Sequence, residues 1–283
     1  MPNKVIQDYL KTFHAAEISV GAINDLRCGL AQRLEPVMEG LKAQVRSSPI
    51  MHADETGWRE DGQNGYVWGF STPGEEGVRY YVYDASRGGQ VVEAVLGEAF
   101  QGVLSSDFYG AYNVYAGPHQ RCWVHLLRDM HKLKDEHPED DSVQTWVQQL
   151  RALHDRAQAF VKSGSPNQNE REALYVALVS EVEKLGLQYA REKHPCRALA
   201  KRVLRHQDEL FQFVSVAGLA ADNNLAERSL RPLVVVRKIS GGTRSPQGSQ
   251  TRMTLASVFA TWQARGLNPY EQGLALIRAN SCT

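Results

Sequence analysis

The 283-residue chain is defined first by what it lacks. No apolar run approaches the ~18–20 residues that a membrane-spanning helix needs, so no membrane association is expected. The opening stretch, MPNKVIQDYLKTFHAAEIS, has no apolar segment of the secretory kind, which makes an intracellular location the expectation. The four cysteines, Cys28, Cys122, Cys196 and Cys282, are scattered and form no CxxC pair. That spacing excludes a zinc ribbon and a disulfide framework, and fits reduced thiols. Charge of one sign is not in excess either: 32 Lys+Arg face 32 Asp+Glu. A dedicated nucleic-acid-binding domain is usually basic overall, so this balance argues against one unless the cations are locally concentrated. No internal repeat is evident. What remains, 42% hydrophobic and 23% charged residues, is the composition of an ordinary globular protein, long enough for one large domain or two smaller ones.

Three kinds of patterning divide the chain. Residues 4–46 are rich in helix formers, and Ile23, Leu26, Leu30, Leu34, Val37, Leu41 and Val45 recur at three- and four-residue steps, a helical apolar stripe that Pro36 should kink or divide. Then come three β-rich runs, SPIMHADETGW, GYVWGFST and VRYYVYDAS, separated by turns short enough for antiparallel hairpins. GGQVVEAVLGEAF fits a short helix, QGVLSSDF a strand, and HQRCWVH a strand that runs into the helix HLLRDMHKLKDE. The order β-β-β-α-β-α-β-α predicts a mixed sheet flanked by helices. From HPEDDSV onward the pattern is helical until DNNLAERSLRPLVVVRKIS, the polar loop GGTRSPQGSQ and two closing helices.

Three acids stand out against this frame. Asp54 lies in the first candidate strand, Asp107 ends the fourth, and Glu227 sits on a helix starting near Asn223 or Asn224. Ends of neighbouring parallel strands bring remote residues to one crevice, where ligands bind in α/β sheets. Converging carboxylates repel unless divalent cations neutralise them, and Mg²⁺ takes a few carboxylate oxygens together with waters and phosphate oxygens. Two such ions about 3.5–4 Å apart serve in-line phosphoryl transfer. Each acid also has an ordinary role. Asp54 and Asp107 suit strand-end turns, and Glu227 follows Asn224 at the spacing of a capping box. Taken singly, those roles are the commoner ones.

The surrounding residues bear on the choice. HADETGWR, SDFYGAYN, RCWVHLLRD and DNNLAERSLRPLVVVRKISGGTRSPQG together resemble the catalytic domain of the insertion-sequence 66 family of bacterial transposases, from about Leu34 onward. The resemblance implies a ribonuclease H-like fold and a DDE triad of Asp54, Asp107 and Glu227 that holds two Mg²⁺ ions, with Mn²⁺ as a substitute. It implies DNA 3′-end cleavage and strand transfer, with element ends and target DNA as partners, a homo-oligomer, expected to be a dimer, and a bacterial cytoplasmic location. Family members carry DNA-binding and linker segments ahead of this domain, where this chain has a helical arm. The expected architecture is therefore α/β: a ribonuclease H-like mixed five-stranded sheet with flanking helices, a helical insertion and an N-terminal helical arm. Its segments are the arm over 1–48, the first part of the core over 49–137, the insertion over 138–217, the second part with the catalytic helix over 218–265, and a C-terminal helix over 266–283. Two rival functions share these features: a hydrolytic nuclease of the same fold, and a truncated, non-enzymatic regulator that binds DNA or the full-length transposase.

Residues 223–252 hold six cations, Arg228, Arg231, Arg237, Lys238, Arg244 and Arg252, against Glu227 alone. Such a cluster suits phosphate contact, since neutralisation by Arg and Lys dominates nucleic-acid affinity. For any one of these residues a solvated helix face is an equal reading. The loop around Arg244 reads equally as a phosphate cradle or a flexible surface segment. Cys122 and His125 form a C-x-x-H pair with no second pair at finger spacing, which argues against zinc. Similar pairs in transposases imply a structural or substrate-positioning role. Trp123 and the aromatic strands are read as core, and His52 as a strand residue on the face of Asp54.

Overall fold

A computed structural model describes residues 2–164 and 166–279; Cys282 lies outside them. Along the chain run α1 (Asn3–His14), α2 (Val20–Arg33), α3 (Glu35–Ser47), β1 (Ile50–Glu60), β2 (Gln63–Ser71), β3 (Arg79–Asp84), α4 (Gln90–Leu96) and β4 (Val103–Ser106). A 3-10 turn (Gly110–Val114), β5 (His119–Arg121), α5 (Trp123–Glu136), α6 (Asp141–Lys162), α7 (Gln168–Ala190), α8 (Arg197–Arg205) and α9 (Gln212–Ser215) follow. The chain closes on α10 (Asn224–Ser240), α11 (Pro246–Ala264) and α12 (Pro269–Ala279). The five strands make a mixed sheet with flanking helices, the α/β class that the strand-helix alternation predicts.

Two compact units carry these elements. The first comprises Met1–Gly102, Gly110–Tyr115 and Asn224–Thr283. Its strands β1, β2 and β3 form an antiparallel meander with registers from His52↔Ser71 to Glu60↔Gln63 and from Tyr66↔Asp84 to Ser71↔Arg79. Asp61 (φ 48°) and Gly62 (φ 77°) make the β1–β2 turn, the two-residue Asp-Gly hairpin whose twist matches the strands. Helix α10 lies on this sheet. A Cβ on Gly69 would stand 2.9 Å from Leu230, so the bare glycine lets the helix approach closely. Trp58, Val67, Tyr81, Leu230, Leu233 and Met253 are the resulting core.

Helix α11 covers the open edge of β3 with hydroxyls one turn apart. The Tyr81 N–H donates to Ser257 Oγ (2.8 Å) and the Arg79 N–H to Thr261 Oγ1 (2.9 Å), so two edge groups are satisfied without another strand. Pro36 divides the N-terminal helix as expected: α2 stops at Arg33, and the proline falls in the first turn of α3, where no N–H partner is required. The division also resets the helical phase. Ile23, Leu34, Leu41 and Val45 are buried, whereas Leu26 is 66% exposed.

The second unit comprises Val103–Tyr109 and Ala116–Asn223. Strands β4 and β5 pair in parallel, Leu104↔His119 to Ser106↔Arg121. Gln120, fully buried, ties β5 to the helical part: its amide donates to Leu210 O (3.1 Å) and accepts from the Phe213 N–H (2.9 Å). Trp123 packs on Phe211 and His154, and the Trp146 N–H reaches Leu185 O at 2.9 Å. Between 141 and 215 the described residues hold helices and turns, with no strand.

Candidate functional site

In the first unit Asp54 stands in mid-strand on β1, partly buried and paired across to Gly69 of β2. Directly opposed residues share a sheet face. Gly69 faces Leu230 of α10, so Asp54 is on the side that α10 covers, with His52 two residues earlier. Contacts fix the direction of the helix. Ser229 meets Ser71, the partner of His52, at 3.0 Å, and Arg237 donates to Gly57 O at 2.8 Å. Helix α10 therefore runs parallel to β1, and its first turn, which carries Glu227, lies toward the His52 end. Among the described residues Glu227 Oε1 is buried with no hydrogen-bond partner. A buried carboxylate oxygen without a donor is costly, and a cation or water is what such an atom calls for. The neighbouring acid, Glu55, points to the opposite face, where Arg87 (2.7 Å) and the Tyr112 hydroxyl occupy its oxygens. Of the adjacent pair, Asp54 is the one turned toward α10.

In the second unit Asp107 follows β4 directly. Its Oδ1 accepts from the Tyr109 N–H (2.9 Å), and its carbonyl accepts from Arg121 Nη1 (2.9 Å) and from Ser106 Oγ (3.0 Å). Arg121 is 1% exposed and paired with Glu209, which also meets His206 Nδ1 at 2.9 Å. Burial pushes the Glu209 carboxyl up, but the His206 hydrogen bond and the Arg121 charge outweigh it and hold the group down at about 2. Phe108, next to Asp107, packs edge-on to His206 and under Arg202. Sequence reasoning missed this support. Its one signal was a run of three polar residues, His119, Gln120 and Arg121, in a segment read as a strand. Cys122 Sγ is buried and accepts from the Asn223 N–H at 3.2 Å, a structural contact, and His125 has a buried Nδ1 without a partner among the described residues.

The six cations of the 223–252 stretch separate. Arg228, Arg231, Lys238 and Arg244 are exposed. Arg237 is tied to the β1 backbone. Arg252 is partly buried, and burial, aided by the charge of Arg27 on α2, brings its guanidinium down to about 10. The polar loop is shorter and firmer than its composition suggests. Thr243 exchanges backbone hydrogen bonds with Arg59 and Asp61, both 2.9 Å, and accepts the Trp58 indole N–H (3.1 Å). Gly242, at φ 104°, would place a Cβ 2.1 Å from Arg59 O. Residues 246–250 belong to α11, with Ser245 as its cap.

A family model described as "Transposase IS66 family" matches residues 1–251. The match begins earlier than the motifs that first suggested the likeness and includes α1–α3. Among curated proteins the chain is similar to three, each described as an uncharacterized protein of Sinorhizobium fredii (strain NBRC 101917 / NGR234). Protein y4qI is 24% identical over 205 residues, 68% of this chain and 38% of the relative. Protein y4jD is 25% identical over 266 residues, 84% and 51% respectively, and y4jO is 29% identical over 167 residues, 59% and 49%. The chain thus spans about half or less of the length of the curated relatives it matches.

Proposed function

The chain belongs to the IS66 family of transposases, and from that premise we propose that it is a DDE catalytic domain with a ribonuclease H-like fold, which cleaves DNA at 3′ ends and joins them to target DNA. Asp54, Asp107 and Glu227 are the three acids. The observation that carries this reading is the buried, unpartnered Oε1 of Glu227, on the helix that covers the Asp54 face of the sheet. Carboxylate oxygens are the donors that a hard cation such as Mg²⁺ prefers. When bound, two such ions supply charge stabilisation at the attacking and leaving oxygens of an in-line displacement.

The chain's own residues do the rest. Arg121 holds the Asp107 backbone from behind, and the Tyr109 N–H fixes the orientation of its carboxylate. Arg228 and Arg231, exposed on the helix of Glu227, hold the phosphodiester, with Lys238 and Arg244 farther along the same basic surface. Water attacks first and frees a 3′-hydroxyl; that hydroxyl then attacks a target phosphodiester, so one bond is exchanged for another. No covalent protein–DNA link is required, and no serine or tyrosine nucleophile is assigned. DNA is the partner, and a homodimer is the proposed working form. The helical stretch between the second and third acids, residues 138–217, is an insertion in the core.

The test is Mg²⁺-dependent nicking and strand transfer with DNA carrying the element's ends. The wild-type chain cleaves, and Asp107→Ala falls to background while keeping its thermal melt. Equal activity in the variant removes Asp107 from the chemistry. Nicking without joining of pre-cut ends makes the protein a hydrolytic nuclease.

A further inference from the structure

Helices α5 and α6 of the second unit enclose an open groove of about 750 Å³. Its basic side chains are Arg128 and Lys134 from α5 and Arg151 from α6, with the His131 imidazole beside them, and no carboxylate lines it. Its floor is apolar, with Met130 and Val147 buried. The three α5 residues step by three, which keeps them near one helix face and spreads them over about 9 Å of axis. Their partners are weak. His131 meets Asp135 at 3.9 Å and Arg151 meets Asp155 at 3.5 Å, both exposed pairs of neighbouring turns, a class that contributes little. Arg128 and Lys134 form no salt bridge among the described residues.

In a chain of zero formal charge, cations drawn from two helices into one acid-free groove are a local excess. A single small anion does not fit this layout. The charges are strung along the helix instead of converging, and mid-helix N–H groups are committed to the helix and offer no cradle. A polyanion engages all of them at once, and the apolar floor suits the sugars between its phosphates.

We infer that the α5–α6 groove is a second DNA-binding surface, which takes the phosphodiester backbone of duplex DNA through Arg128, Lys134 and Arg151, apart from the basic stretch that follows Glu227. The inference rests on the reading of the protein as a DNA-processing enzyme. Anisotropy titration of a fluorescein-labelled duplex, in chelator and over a range of salt, tests it. The triple variant Arg128→Gln, Lys134→Gln, Arg151→Gln weakens binding about tenfold or more, and lowers the slope of log K against log salt by about 0.9 for each phosphate that it no longer neutralises. Lys132→Gln removes one charge from α5 outside the groove and changes neither quantity. Arg128→Lys with Arg151→Lys retains the salt slope. Should the triple variant melt early, the three single variants read the same change in smaller steps. A triple variant that binds like Lys132→Gln overturns the groove; if Mg²⁺-dependent nicking by the wild type still requires Asp54, the enzymatic reading stands. A wild-type chain that binds no duplex and cuts none overturns both.

Discussion

At the scale of single residues the energetics turn on carboxylates whose surroundings differ. Glu227 has a buried oxygen with no hydrogen-bond donor among the described residues, and a buried polar atom without a partner costs stability. The isostere Gln keeps the shape and a polar atom at that position but is a poorer ligand for a hard cation. In chelator Glu227→Gln should therefore melt close to the wild type. Mg²⁺ should raise the Tm of the wild type, by linkage to a site present only in the folded state, and leave the variant unmoved. Equal Mg²⁺ shifts in the two proteins would remove Glu227 from the metal site. Glu209 is the opposite case, held at about 2 against an ordinary 4.5 by His206 and Arg121 in spite of its burial. A carboxyl depressed by folding lends stability that is complete above its unfolded value and disappears as pH falls toward its folded one. The wild type should thus lose more stability than Glu209→Gln between about pH 4.5 and pH 2. Parallel urea midpoints for the two proteins across that window would show that Glu209 gives Arg121 no anchor.

At the scale of elements, the sheet edge shows how side-chain chemistry replaces a missing strand. Ser257 accepts the Tyr81 N–H while donating to Met253 O at 2.7 Å. Ser257→Ala leaves a buried N–H unsatisfied, which costs about 1–3 kcal/mol. The urea midpoint should fall accordingly, and a midpoint unchanged from wild type would mean that water reaches the edge. Such pairings are invisible in sequence, because Ser257 and Thr261 lie some 180 residues from their partners. What could be read was local. Pro36 divided a helix and β-rich runs between turn residues marked the strands, whereas the helix read as opening at His125 opens at Trp123, inside the run read as strand. Leu26 was misplaced because a break between α2 and α3 lets each helix aim independently. The loop was drawn too long because Ser245-Pro246 reads as loop composition, although a serine cap followed by proline is also how a helix opens.

For the molecule as a whole, the balance of 32 cations against 32 anions and a pI near 7.1 leave no general field to draw a nucleic acid in. Affinity for DNA then depends on where the charges sit. The three proposed acids could be named from motifs because each lies in a distinctive local run. The groove cations could not, because α5 and α6 contribute them separately and each looks like an ordinary solvated helix face. Segregated charge on a neutral chain has a bulk consequence. Self-attraction is greatest where net charge vanishes, so at low ionic strength turbidity should peak near pH 7.1. Short duplex DNA, which covers cationic surface and gives the complex a negative charge, should clear the solution at that pH. The groove triple variant carries three fewer positive charges, so its turbidity maximum should move to lower pH, and the same duplex should clear less of it. A wild-type maximum near pH 7.1 that the duplex does not disperse would mean that the cations are neutralised by the protein's own acids and are not available to a phosphate backbone.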